Sequence, residues 1–127
     1  MNKICTGINQ SKRLLELGLD RKTSDMYYWC GSGLRIGGHR AQDEDGDIPA
    51  WSLSALMELI PSTFFVDSKE TFYSFFMNKC VDFYHLYYKD DSTDCYVIDS
   101  DVREDNLLDA SYEIVVWLLE NKHINKD

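Results

Sequence analysis

The residues with the clearest chemical potential lie between residues 31 and 47, where glycines, a histidine, arginines and carboxylates follow one another. The imidazole of His39 can act as an acid or a base near neutral pH, and the guanidinium groups of Arg35 and Arg40 can hold an anion. No serine or cysteine motif in the sequence supplies a nucleophile for that histidine. The stretch therefore predicts a partner-binding loop, and a small enzyme that uses His39 is the alternative.

Three aspartates at alternate positions, Asp43, Asp45 and Asp47, follow in the same stretch. Alternating carboxylates are typical of a calcium-binding loop, which also needs a glycine at its sixth position and a glutamate at its twelfth. With Asp43 first, these positions hold Ile48 and Ser54. The pattern favours a solvated acidic loop, with a weak, non-specific cation site as the alternative.

The glycines of this stretch resemble a dinucleotide-binding fingerprint at two of its three positions. Gly31 and Gly33 have the required spacing, but the third glycine should fall at position 36, which is Ile36. No helix is predicted directly after it whose N-terminus could hold a pyrophosphate. We therefore expect no nucleotide cofactor.

Four cysteines, Cys5, Cys30, Cys80 and Cys95, are present without a C-x-x-C motif. Cys80 and His85 lie five residues apart in a predicted strand, where an odd spacing directs side chains to opposite faces. Residues 1–7 contain no apolar stretch typical of a secretory signal. We therefore expect reduced thiols packed as small core side chains in a cytoplasmic protein, and no metal site.

The net charge of -9 is unevenly distributed along the chain. Residues 1–40 contain seven Lys/Arg and three Asp/Glu, a net charge of +4, whereas residues 41–127 contain six and nineteen, a net charge of -13. Because phosphate contacts dominate non-specific nucleic-acid affinity, such a chain is not expected to bind DNA. The acidity favours solubility, and the alternative is a decoy that imitates DNA and binds a DNA-binding protein.

Hydrophobic periodicity predicts three helices, at residues 7–17, 52–60 and 105–121. Thr6 and Ser52 are the predicted N-caps of the first two, which end at Gly18 and Pro61. The third has a wide apolar stripe, and we expect its most buried members to be Leu108, Ile114, Val115 and Leu118. No apolar run approaches the length of a membrane span.

Strands are predicted at residues 26–30, 72–77, 81–88 and 95–98, and residues 31–47 between the first strand and the second helix are predicted as a flexible loop without secondary structure. The 72–77 segment is apolar on both faces, which predicts a central strand covered on both sides. The fold class expected is α+β: an antiparallel sheet of three to four strands with about three helices packed on one or both faces, in a single domain spanning residues 1–127.

The aromatic residues of these strands admit two interpretations. They could form a platform for stacking nucleic-acid bases, or they could pack in the core. Acidic neighbours at positions 82, 90, 91 and 94 would repel phosphates, which favours core packing. The aromatic residues concerned are Tyr73, Phe75, Tyr84, Tyr87, Tyr88 and Tyr96.

Three segments resemble small proteins carried by prophages and other mobile elements of Bacteroides-type bacteria. They are residues 4–19 (ICTGINQSKRLLELGL), 46–56 (GDIPAWSLSAL) and 113–121 (EIVVWLLEN). The resemblance covers about half of the chain. It implies a phage-derived module similar to an α/β sandwich and a mobile-element setting, and it brings no catalytic residues with it.

The function that these observations favour is a non-enzymatic protein-interaction module. We expect another protein as the partner, and neither a nucleic acid nor a membrane. The binding surface would be the loop at residues 31–47 or the adjoining edge of the aromatic strands. Candidate contact residues in the loop are Arg35, His39, Arg40, Asp43, Asp45 and Asp47.

Overall fold

The computed structural model describes residues 4–28, 34–36, 48–66, 70–92 and 101–122, with residues 34–36 described by their backbone alone. Among these residues the helices are α1 (Ile8–Glu16), α2 (Leu53–Leu59) and α3 (Leu107–Glu120). The strands are β1 (Met26–Tyr28), β2 (Leu34–Ile36), β3 (Ile48–Ala50), β4 (Thr63–Val66), β5 (Thr71–Lys79), β6 (Tyr84–Asp90) and β7 (Val102–Glu104). The order of the elements confirms the predicted α+β class.

The strands form two antiparallel sheets. The larger has the order β4-β5-β6-β7, so each strand pairs with its neighbour in sequence, and the smaller has the order β2-β1-β3. The prediction of a single sheet of three to four strands describes the larger sheet. In the second sheet β1 is the central strand and pairs with β2 on one side and with β3 on the other.

Helix α1 begins one residue later than predicted. Gly7 is its N-cap and donates its backbone N–H to the Gln10 side chain at 2.9 Å, so the prediction that Thr6 is the N-cap was wrong. The helix ends as predicted at Gly18, whose φ of 93° suits glycine. The backbone N–H groups of Gly18 and Leu19 bond to the carbonyls of Leu15 and Leu14, which forms a Schellman motif.

Helix α2 confirms the predicted ends. The Ser52 hydroxyl accepts a hydrogen bond from the Ala55 N–H at 3.2 Å, as expected of an N-cap. At the other end Ile60 is extended, with ψ of 111°, because the residue before Pro61 is disfavoured in the helical region.

Helix α3 supplies the largest share of the core. Asn106 caps it by accepting hydrogen bonds from the backbone N–H groups of Leu108 and Asp109. The predicted buried positions are confirmed, since Leu108, Ile114, Val115 and Leu118 are all at most 2% exposed.

Several strands differ from the sequence-based prediction. Residues 34–36, inside the stretch predicted to lack secondary structure, pair with β1 as β2, and residues 102–104, expected to be a connection, form β7. Strand β4 was not predicted. The second predicted strand begins later than expected, because residues 80–83 form the turn of the β5–β6 hairpin, closed by the Cys80 N–H donating to the Phe83 carbonyl at 2.8 Å. The strand predicted at residues 95–98 lies outside the described residues.

The described helices pack on one face of the four-stranded sheet. The core joins residues of α1, α2 and α3 to the inward side chains of the sheet, which are Phe64, Val66, Tyr73, Phe75, Tyr84, Leu86, Tyr88 and Val102. Strand β5 is central in the sheet, but the prediction that it is covered on both sides was wrong, because Phe72 and Phe76 on its other face are exposed. The described helices therefore leave the side of β5 that carries Phe72 and Phe76 exposed.

None of the helices among the described residues is both long enough and apolar enough to cross a membrane.

Candidate functional site: the outer face of the sheet

The face of the four-stranded sheet that points away from the helices, called the outer face below, is the candidate site. The register defines its members, because directly paired residues of antiparallel strands direct their side chains to the same side. They are Thr63, Phe65, Phe72, Ser74, Phe76, Asn78, His85, Tyr87, Lys89 and Arg103. Asp91 and Asp101 adjoin this set through hydrogen bonds.

Exposed phenylalanines distinguish the outer face from an ordinary solvated sheet. Phe65 is 45% exposed, Phe72 53% and Phe76 37%. Phe65 and Phe72 are paired across β4 and β5, with ring centroids 4.8 Å apart. From the roughly 200 Å² that a phenylalanine can bury, these fractions correspond to about 270 Å² of exposed aromatic surface. This area is slightly below the roughly 300–600 Å² of the largest apolar patch on a typical monomer, a patch that is often functional.

A row of stacked groups runs along β6 and across to β5. The Lys89 ammonium lies 4.7 Å from the centre of the Phe76 ring, and the rings of Phe76 and Tyr87 are stacked at 5.6 Å. The His85 ring follows at 4.6 Å from that of Tyr87. Within the row Tyr87 is buried, with 7% of its surface exposed, whereas Phe76 is 37% exposed.

Polar groups border the aromatic row at both ends. At one end the Ser74 hydroxyl donates to Asp91 at 2.6 Å. At the other end Asp101 is hydrogen-bonded to the Nε2 of His85 and forms an ion pair with Arg103 at 3.4 Å. Charged groups thus lie at both ends of the face, and the exposed ring of Phe72 is next to Asp91 at one of these ends.

The aromatic residues considered for base stacking divide between the two faces of the sheet. Tyr73, Phe75, Tyr84 and Tyr88 point into the core, which supports the core-packing interpretation for them. Tyr87 lies on the outer face but is buried there, with 7% of its surface exposed, and Tyr96 lies outside the described residues. Phe65, Phe72 and Phe76 were not among the predicted site residues. The sequence feature that could have indicated Phe72 and Phe76 is the presence of apolar residues on both faces of β5.

The candidate residues of the 31–47 loop are not brought together by the described structure. The backbone of Arg35 lies in β2, opposite Tyr27 of β1. The side chain of Arg35 lies outside the described part, as do residues 39, 40, 43, 45 and 47. Their proposed role in binding stays a prediction.

A second surface feature is a cleft of about 470 Å³ between residues 22–25 and helix α2. Its lining includes Thr23 and Asp25. The Thr23 hydroxyl accepts the indole N–H of Trp51 at 2.9 Å, and the Asp25 carboxylate accepts hydrogen bonds from the backbone and hydroxyl of Ser52. These hydrogen bonds connect residues 22–25 to the start of helix α2, so we assign the polar groups of the cleft a structural role.

The described cysteines agree with the expected packing only in part. Cys5 is buried, with its Sγ 3.6 Å from the Tyr28 hydroxyl, whereas Cys80 is half-buried in the β5–β6 turn. Cys80 and His85 therefore do not share a strand, contrary to the prediction. Within the described ranges no group of three or more His, Cys, Asp or Glu side chains could hold a metal ion.

Comparisons with protein-family models, with curated proteins and with solved structures return no significant match. The resemblance to mobile-element proteins therefore stays a prediction.

Proposed function

We propose that this chain is a non-enzymatic protein-interaction module and that the outer face is its binding surface. The observation that carries the proposal is the exposed aromatic set Phe65, Phe72 and Phe76 on the sheet face opposite the helices. Aromatic residues and arginine are enriched at protein interfaces, and a few of them contribute most of the binding energy. Within this set Phe65 and Phe72 are in contact across β4 and β5.

The charge of the outer face also supports a protein partner. Across the whole chain the net charge is -9, but among the described residues at the outer face Lys89 and Arg103 are balanced by Asp91 and Asp101. A balanced face gives no electrostatic preference for a polyanion. The ring of Tyr87 is buried, so it is not open to a stacking base.

The experiment compares two double variants as tagged full-length proteins. Phe65→Ser with Phe72→Ser removes the exposed rings of the outer face, and Ile4→Ser with Val81→Ser removes exposed apolar groups elsewhere. We expect partners from host lysate to be retained by the wild type and the control and lost from the outer-face variant. Both variants should keep a cooperative thermal transition. Equal retention by both variants would overturn the proposal.

We also propose a mobile-element origin and a cytoplasmic location. The resemblance of three sequence segments to mobile-element proteins supports the mobile-element origin. The acidic decoy rests on the charge of residues 41–127 alone. The same pull-down at low and moderate salt separates the two hypotheses. A DNA-binding partner that is displaced by duplex DNA and lost at moderate salt would favour the decoy, because contacts that imitate phosphates are screened by salt.

A further inference from the structure

We draw no further inference here: the strongest candidate, the patch of exposed rings of Phe65, Phe72 and Phe76 on the outer face of the four-stranded sheet, belongs to the surface already described, and nothing in the described part of the structure shows what covers it.

Discussion

Thr6 and Trp51 exchange two hydrogen bonds in the interior of the protein, and neither residue has any exposed surface. The Thr6 backbone N–H donates to the Trp51 carbonyl at 2.9 Å, and the Trp51 N–H donates to the Thr6 hydroxyl at 3.1 Å. The hydroxyl also lies 2.8 Å from that of Ser11 on α1. This pair therefore joins the segment before α1 to the segment that leads from β3 into α2.

The first prediction concerns this buried hydroxyl. Thr6→Val keeps the shape of the side chain but leaves the Trp51 N–H and the Ser11 hydroxyl without their partner, which should cost about 1–3 kcal/mol of unfolding free energy. Thr6→Ser keeps the hydroxyl and should cost about 1 kcal/mol through the lost methyl group. Urea unfolding measures both. A valine variant with the same unfolding free energy as the wild type would contradict the role given to the hydroxyl.

Leu118 on α3 provides the second prediction, since it has no exposed surface. Leu118→Ala should lower the unfolding free energy by about 2–5 kcal/mol through the cavity it leaves. Leu118→Asp should unfold the domain because it buries an unpaired charge. Glu113→Ala, at an exposed position of the same helix, should change stability by no more than about 0.5 kcal/mol. A native melting transition in the aspartate variant would show that the packing of α3 is wrongly described.

The third prediction tests Asp25 as a fixed support for α2. Its carboxylate accepts the Ser52 N–H at 2.9 Å and the Ser52 hydroxyl, and Ser52 in turn caps the helix. Asp25→Ala should therefore cost about 1–3 kcal/mol, because it leaves the Ser52 N–H without its acceptor. Asp20→Ala removes a comparable bond to the N–H of Lys22 in an exposed turn and should cost less than about 0.5 kcal/mol. Equal losses in thermal unfolding experiments would argue against this role.

The fourth prediction concerns stability at alkaline pH. Burial, followed by the hydrogen bond with Cys5 and the charge of that residue, raises the pKa of Tyr28 to about 12. Burial also raises the pKa of Tyr88, whose hydroxyl donates to the Pro61 carbonyl at 2.6 Å. Both groups have a pKa of about 10 in the unfolded chain. Their contribution to stability is thus complete below about pH 10 and is lost as the pH rises through the folded-state values.

Tyr28→Phe and Tyr88→Phe should each make the unfolding free energy less dependent on pH than in the wild type. Urea unfolding at intervals between about pH 8 and pH 11.5 measures this slope, because the tyrosines titrate over that range. Profiles parallel to that of the wild type would contradict the proposed cause.

The helices were largely predictable because their signals are local. The stripe of α3, the Ser52 cap and the proline after α2 each depend on residues within one or two turns. The short strands were not predictable in the same way. Strands β2, β3 and β7 have three residues each and exist because a neighbouring strand pairs with them, which no pattern of three residues reveals.

The candidate site shows a different limit. Phe72 and Phe76 alternate with Tyr73 and Phe75, so the sequence indicates that both faces of β5 are apolar without indicating what covers each. Only the placement of all three helices on the Tyr73 side shows that the phenylalanines on the other side are exposed. The sequence therefore indicated that β5 has two apolar faces, and the tertiary structure showed which of them is exposed.

The contacts between α1 and α3 determine when this chain can fold during its synthesis. Gln10 donates to Asp109 at 3.0 Å and Arg13 pairs with Glu120 at 2.9 Å, across 99 and 107 residues of sequence. A ribosome that adds about 5–20 residues per second needs roughly 5–20 s to cover that distance. During this time α1 lacks the helix that covers its inward face, and so do α2 and the sheet from the moment they are synthesised. The nascent chain should therefore depend on chaperones until α3 has left the exit tunnel.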